Sequence, residues 1–136
     1  MATEESKTIA RRLVDAINNN DEAAFLDVLV PDVIDHYSLP GLPPGREGWN
    51  MNRKILRTAF PDCAWHEEDL FADGDRVVGR YTLRGTHLGD FLGTPPSGNP
   101  IEVSNIHILR VVDGKIVEHW GHGDDMGMMR QLGAMA

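Results

Sequence analysis

Ile101-Glu-Val-Ser-Asn-Ile-His-Ile-Leu-Arg-Val-Val112, then Asp113-Gly114, then Lys115-Ile-Val-Glu-His-Trp-Gly-His-Gly123 is the stretch whose reading decides the fold. The first run alternates, Asp-Gly is a tight-turn pair, and the second run returns, so the two predict an antiparallel hairpin. In the first arm Val103, Leu109 and Val111 share a face with Asn105 and His107, while Ile106, Ile108 and Val112 point the other way. Polar side chains on a face that should be buried need partners or a purpose. In the second arm, strict alternation puts Glu118, Trp120, His122 and Asp124 on one face and His119 on the opposite, outward one. A carboxylate, an imidazole and an indole in a row are the makings of an acid/base site.

Working outward, a second hairpin precedes the first. Ala64 to Ala72 leads into Asp73-Gly74-Asp75, and Arg76 to His87 returns, with the Gly- and Pro-rich loop Leu88 to Pro100 between the hairpins. The N-terminal half has helical spacing instead. Ile9, Leu13, Ala16 and Ile17 follow a possible N-cap at Thr3 and stop at Asn18-Asn19-Asn20. Asp21 predicts the cap of a short second helix bearing Phe25, Leu26, Val28 and Leu29, ended by Pro31. Val33 to Tyr37 reads as a short strand and Leu39 to Gly45 as a loop. A third helix from about Arg46 to Ala59 carries Trp49, Asn52, Ile55 and Leu56, and Met126 to Leu132 closes the chain as a last helical turn.

Three helices packed on a curved antiparallel sheet make an α+β domain over residues 1–136, with no repeat or linker to divide it. Such a layer pair forms a cone that encloses a cavity at its open end. The 136 residues suffice for one core. With 13 basic against 21 acidic residues, a net charge of −8 repels nucleic acid and anionic membranes, and only Arg11-Arg12 interrupts it. No apolar run approaches a membrane span, and the acidic start lacks the basic end of a signal peptide. The lone Cys63 forms no internal disulfide or multi-thiolate metal site. A cytoplasmic protein without nucleic-acid or membrane partners is expected.

The runs Asp35-His36, Gly41-Leu-Pro-Pro-Gly45, Ala59-Phe-Pro-Asp62, Arg84-Gly-Thr-His-Leu-Gly89, Asp113-Gly-Lys-Ile-Val-Glu-His-Trp120 and Arg130-Gln-Leu-Gly133 resemble the SnoaL-like polyketide cyclases, or ester cyclases, in order and spacing. These belong to the nuclear transport factor 2-like, or ketosteroid isomerase-like, cones, and the resemblance spans roughly residues 5 to 134. It implies intramolecular aldol ring closure of a polycyclic aromatic polyketide without metal or cofactor. It also implies that Asp124 is the acid and base and that His107 is its partner from the preceding strand. Asn105, His122, Trp120, His36 and Trp49 are the expected substrate-facing residues.

The chain departs from the family where the motif matters most. His122 and Gly123 stand where apolar residues are common, and Asp125 directly follows Asp124, so either carboxylate is a candidate. A His/Asp pair can also position water, which keeps a hydratase, epoxide-opening enzyme or hydroxylase open. The same cone also serves as a binding protein without chemistry. Asp124 as a cap of the Met126 to Leu132 turn and His107 as a core histidine are the plain structural alternatives. His119-x-x-His122 is a poor chelate on a strand, and no phosphate loop is present. The apolar outward residues Ile106, Ile108 and Val112 predict a homodimer through the outer sheet face.

Overall fold

The computed structural model describes residues 2–134; Met1, Met135 and Ala136, at the ends of the expected 1–136 domain, lie outside the described residues. Helices α1 (Ala2–Asn18), α2 (Glu22–Asp27) and α3 (Gly45–Ala59) are joined by strand β1 (Leu29–Asp35). Strands β2 (Ala64–Asp73), β3 (Arg76–Thr86), β4 (Pro100–Val112) and β5 (Lys115–Gly123) follow, and α4 (Asp125–Gln131) ends the fold. The five strands form one curved, unclosed sheet in the order β1-β5-β4-β3-β2, with the helices against its inner side. None of the described helices is long and apolar enough to cross a membrane.

Three local expectations are corrected. The first helix already includes Thr3, so that residue is not its cap. Asp21 does cap α2, accepting from the Ala24 N–H at 3.1 Å, but α2 stops at Asp27 and Leu29 opens β1. That strand ends at Asp35 rather than Tyr37, and it pairs with β5 in parallel, so the sheet is mixed. Its register shifts between Leu29 and Ile34, where Pro31 has no N–H to give; an edge strand tolerates that loss.

Burial explains the rest. Ile9, Ala10, Leu13 and Ala16 of α1 recur at helical spacing and pack with Phe25, Leu29, Val33, Val77, Leu109, Val111 and Ile116. A second cluster joins Phe60, Cys63, Leu83, Phe91, Ile101, Val103, Met128 and Leu132. Leu13, Trp49 and Leu109 of the first cluster and Leu83, Phe91 and Val103 of the second line one shared cavity, so the core is hollow between them. Helix α3 is fixed to its preceding loop by Gly48, where a Cβ would lie 1.8 Å from the Pro43 carbonyl oxygen.

The decisive irregularity is in β5. Val111 pairs with Ile116 while Arg110 pairs with Glu118, which leaves Val117 as an extra residue. Such a bulge reverses the alternation beyond it. Ile116, His119 and Gly121 are buried, whereas His122 is exposed. The cross-strand pairs agree: Leu109 opposes His119 and His107 opposes Gly121 on the inner face, while Ile108 opposes Trp120 and Ile106 opposes His122 on the outer one.

Candidate active site

The cavity has a volume of about 460 Å³, within the range of small-molecule sites. Its buried walls come from Leu13, Trp49, Tyr81, Leu83, Val103, Asn105, Leu109 and His119, and the exposed Ser38, Pro40, Leu92 and Asp125 form its rim. No Lys or Arg side chain of the described residues lines it. Nor does any group of three or more His, Cys, Asp or Glu among the described residues form a metal site.

A row of three titratable groups is built into the inner wall. Asp35 at the end of β1 sits opposite His119 in the parallel register, and its Oδ1 lies 2.8 Å from His119 Nδ1. His119 Nε2 lies 2.9 Å from His107 Nδ1. Both side chains of the Asp35–His119 pair are nearly inaccessible, at 6% and 4% exposure. The His119 ring stacks on Trp49 at 4.3 Å and meets the His107 ring edge to edge, with centroids 5.1 Å apart and planes 13° from parallel. Tyr37, Trp65 and Tyr81 surround His107 edge-on, with centroids 5.3 to 5.9 Å away.

Glycine makes this row possible. Gly121 opposes His107, and a Cβ there would come within 2.7 Å of both His107 Nδ1 and the Tyr37 ring. One step along the same face, a Cβ at Gly123 would lie 2.3 Å from Asn105 Oδ1 and 3.0 Å from the Tyr37 hydroxyl. The strand therefore cedes its inner face to side chains from β4 and from the segment after β1.

The electrostatics follow from this packing. Burial pushes the His107 imidazole down to about 3, aided by its neighbour His119 and opposed by Asp35. Burial also disfavours ionised Asp35, but the hydrogen bond and charge of His119 together with the Tyr37 N–H outweigh it and hold the carboxyl below its usual range. Burial, with the Asp125 charge and the bond to it, pushes the Tyr37 phenol up to about 12. The Tyr37 hydroxyl donates to Asp125 Oδ1 at 3.2 Å, so a neutral phenol and a carboxylate meet at the rim.

Of the residues singled out in the sequence, His107, Asn105 and Trp49 line the cavity. The placement of the other four is corrected. Asp124 is exposed, and its Oδ1 accepts from the Gly127 N–H at 2.9 Å as the N-cap of α4. The carboxylate that lines the cavity is Asp125. Trp120 is on the outer face, where it stacks on His36 at 5.1 Å beneath the Arg76 guanidinium. His36 pairs there with Glu118 at 2.7 Å, and Glu118 also accepts from Arg110. His122 is exposed beside Tyr37 and is not among the lining residues. The outer placements of Trp120 and His122 follow from the bulge at Val117.

Sequence reasoning missed His119, Asp35, Tyr37 and Trp65. The signal available was the pair Gly121 and Gly123, because alternate glycines on one strand face make room for something facing them.

The SnoaL-like polyketide cyclase family model matches residues 7–132. Aklanonic acid methyl ester cyclase DnrD of Streptomyces peucetius is 35% identical over 131 residues, covering 92% of this chain and 88% of the relative. Nogalonic acid methyl ester cyclase of Streptomyces nogalater is 32% identical over 83% of this chain and 82% of its own length. Among solved structures, IdmH from Streptomyces antibioticus superposes with a TM-score of 0.83 at 34% identity, covering 94% of this chain and 98% of IdmH.

Proposed function

Since the chain belongs to the SnoaL-like polyketide cyclase family, we propose that it closes a ring in a neutral polycyclic polyketide ester, with Asp125 as acid and base. The observation that carries this reading is the cavity itself: aromatic and aliphatic walls, no lining cation among the described residues, and one rim carboxylate already engaged by a phenol. A free carboxylate on the substrate would find no positive partner there, whereas an ester needs none.

In the proposed reaction Asp125 takes a proton from the carbon beside a carbonyl, through the oxygen that Tyr37 does not hold. The fused aromatic rings spread the enolate charge. Its carbon then attacks a ketone carbon of the same molecule, a C–C bond forms, and Asp125 returns the proton to the ketone oxygen. Substrate and product are isomers, and nothing else is consumed. Ring systems that fill the cavity would exclude water from the rim and strengthen these interactions. His107 is a poor base for this step, because an imidazole held near 3 gives too little driving force at neutral pH.

The test is to incubate the protein with an anthraquinone methyl ester whose side chain holds an enolisable ketone. A product of unchanged mass and altered retention is expected, with no label from ^18O water. A product heavier by one water or one oxygen would instead support hydration or hydroxylation.

A second copy is proposed to cover the outer sheet face, where Ile34, Phe71 and Ile106 are about half or more exposed. Light scattering at micromolar concentration is expected to give twice the 15.1 kDa chain mass, and a monomeric mass would reject this.

A further inference from the structure

A turn at the cavity mouth holds a leucine in a conformation that leucine avoids. Among the described residues, the non-glycine positions with positive φ are Asn20 at 52°, Leu92 at 50° and Asp113 at 51°. Asparagine and aspartate tolerate this left-handed region, because a short polar side chain can bond to the nearby backbone. Leucine has no such compensation. Leu92 and Gly93, whose φ is 88°, are the central pair of a tight turn closed by Phe91 and Thr94. The Phe91 and Thr94 N–H groups each donate to the other's carbonyl at 2.9 Å. Two-residue turns with positive φ at both positions favour Asn-Gly, so asparagine would serve this turn better than Leu92 does.

The core does not explain the leucine either. Leu92 is 59% exposed, whereas its neighbour Phe91 is buried against Phe60, with ring centroids 5.5 Å apart. A side chain that is both strained at its backbone and open to solvent contributes little to folding. What sets Leu92 apart is that it lines the cavity at its mouth, on the rim that also carries Asp125.

Backbone strain at a cavity mouth points to function. Resting on the cavity's assignment as the substrate site, we infer that Leu92 is a substrate contact, whose side chain covers an apolar ring of the polycyclic substrate at the mouth. A substrate whose reacting carbon reaches Asp125 has part of its ring system at the rim, in the region that Leu92 lines. The side chain is presented on a fixed base: Phe91 anchors the turn in the core, and Asp90 Oδ2 accepts from the Gly93 N–H at 3.0 Å. Little of the turn is left for binding to order.

The test pairs binding with stability, because a substrate contact and a structural leucine predict different outcomes for Leu92→Asn. Equilibrium dialysis of the full chain with methyl anthraquinone-2-carboxylate is expected to show about three- to tenfold weaker binding in this variant, the worth of part of a leucine side chain removed from water. Thermal unfolding without ligand is expected to give a Tm that is unchanged or raised by up to about 3 °C, since asparagine suits the turn. Leu92→Met keeps an apolar chain and should bind within about twofold of the unaltered protein. Unchanged binding in Leu92→Asn, a lowered Tm in that variant, or equally weak binding in Leu92→Met overturns the contact and leaves the cavity reading standing. Failure of the unaltered protein to bind overturns both.

Discussion

Asp125→Asn is expected to lower kcat by roughly 10²- to 10⁴-fold, the usual worth of a positioned acid/base group. Asp124→Asn is expected to leave kcat within about twofold. The two residues are adjacent in sequence but differ in employment: Asp125 lines the cavity and holds the Tyr37 hydroxyl, whereas Asp124 caps α4 through the Gly127 N–H. Asparagine is a good N-cap, so the second substitution removes a charge while keeping the capping oxygen, and α4 should stay in place. Ring closure followed by chromatography on the ester substrate, with circular dichroism as the check on folding, separates the two. Loss of turnover in Asp124→Asn with Asp125→Asn active would reverse the assignment and restore the family-based expectation.

Stability is expected to fall steeply as pH drops from about 6.5 to about 3, by on the order of 4 kcal/mol from His107 alone at the acid end. The sign is that of a depressed histidine. The unfolded chain takes up this proton near 6.5, whereas the folded protein resists until about 3, so across that window the unfolded state binds more protons and is favoured by acid. Asp35, held below its ordinary range, acts in the same direction at lower pH: its contribution is complete above the unfolded carboxylate value and is lost as pH falls through the folded one. Urea unfolding of the protein and of His107→Gln, measured from pH 4 to 7.5, isolates the effect. The substitution should flatten the slope in this range. Equal slopes in the two proteins would mean that His107 charges without penalty and that the aromatic enclosure around it is not dry.

The outer sheet face shows how local chemistry can imitate a site. Glu118, Trp120 and His36 do come together, joined by Arg110 and Arg76, as a packed polar and aromatic patch. Glu118, Trp120 and His122 do share a face, as alternation predicts, but that face is the outer one and not the cavity wall the sequence reading made it. Period-two alternation carries no marker of an inserted residue, and Val117 looks like any other strand valine. The insertion is set by how β5 pairs with β4 on one side and with β1 on the other, and pairing is a property of the assembled sheet.

The residues of the two halves of the site differ in the same way. His107 and Asn105 were legible because β4 runs from Pro100 to Val112 without a break, so that the apolar Val103, Leu109 and Val111 declare its inner face. Asp35 and His119 were not, since they are 84 residues apart and meet only through the parallel pairing of an edge strand.

By itself the sequence determined the α+β order of elements, the two hairpins and the family, because turn pairs, caps and apolar periodicity act over a few residues. It also singled out the Asp124-Asp125 pair as candidate acids. Only the tertiary structure decided which face of β5 looks inward, which of the two carboxylates reaches the cavity, and that Asp35, His119 and His107 form one row. The physical reason is range: propensity and alternation are local, whereas register, a bulge and the partner of a buried charge are fixed by contacts between distant strands.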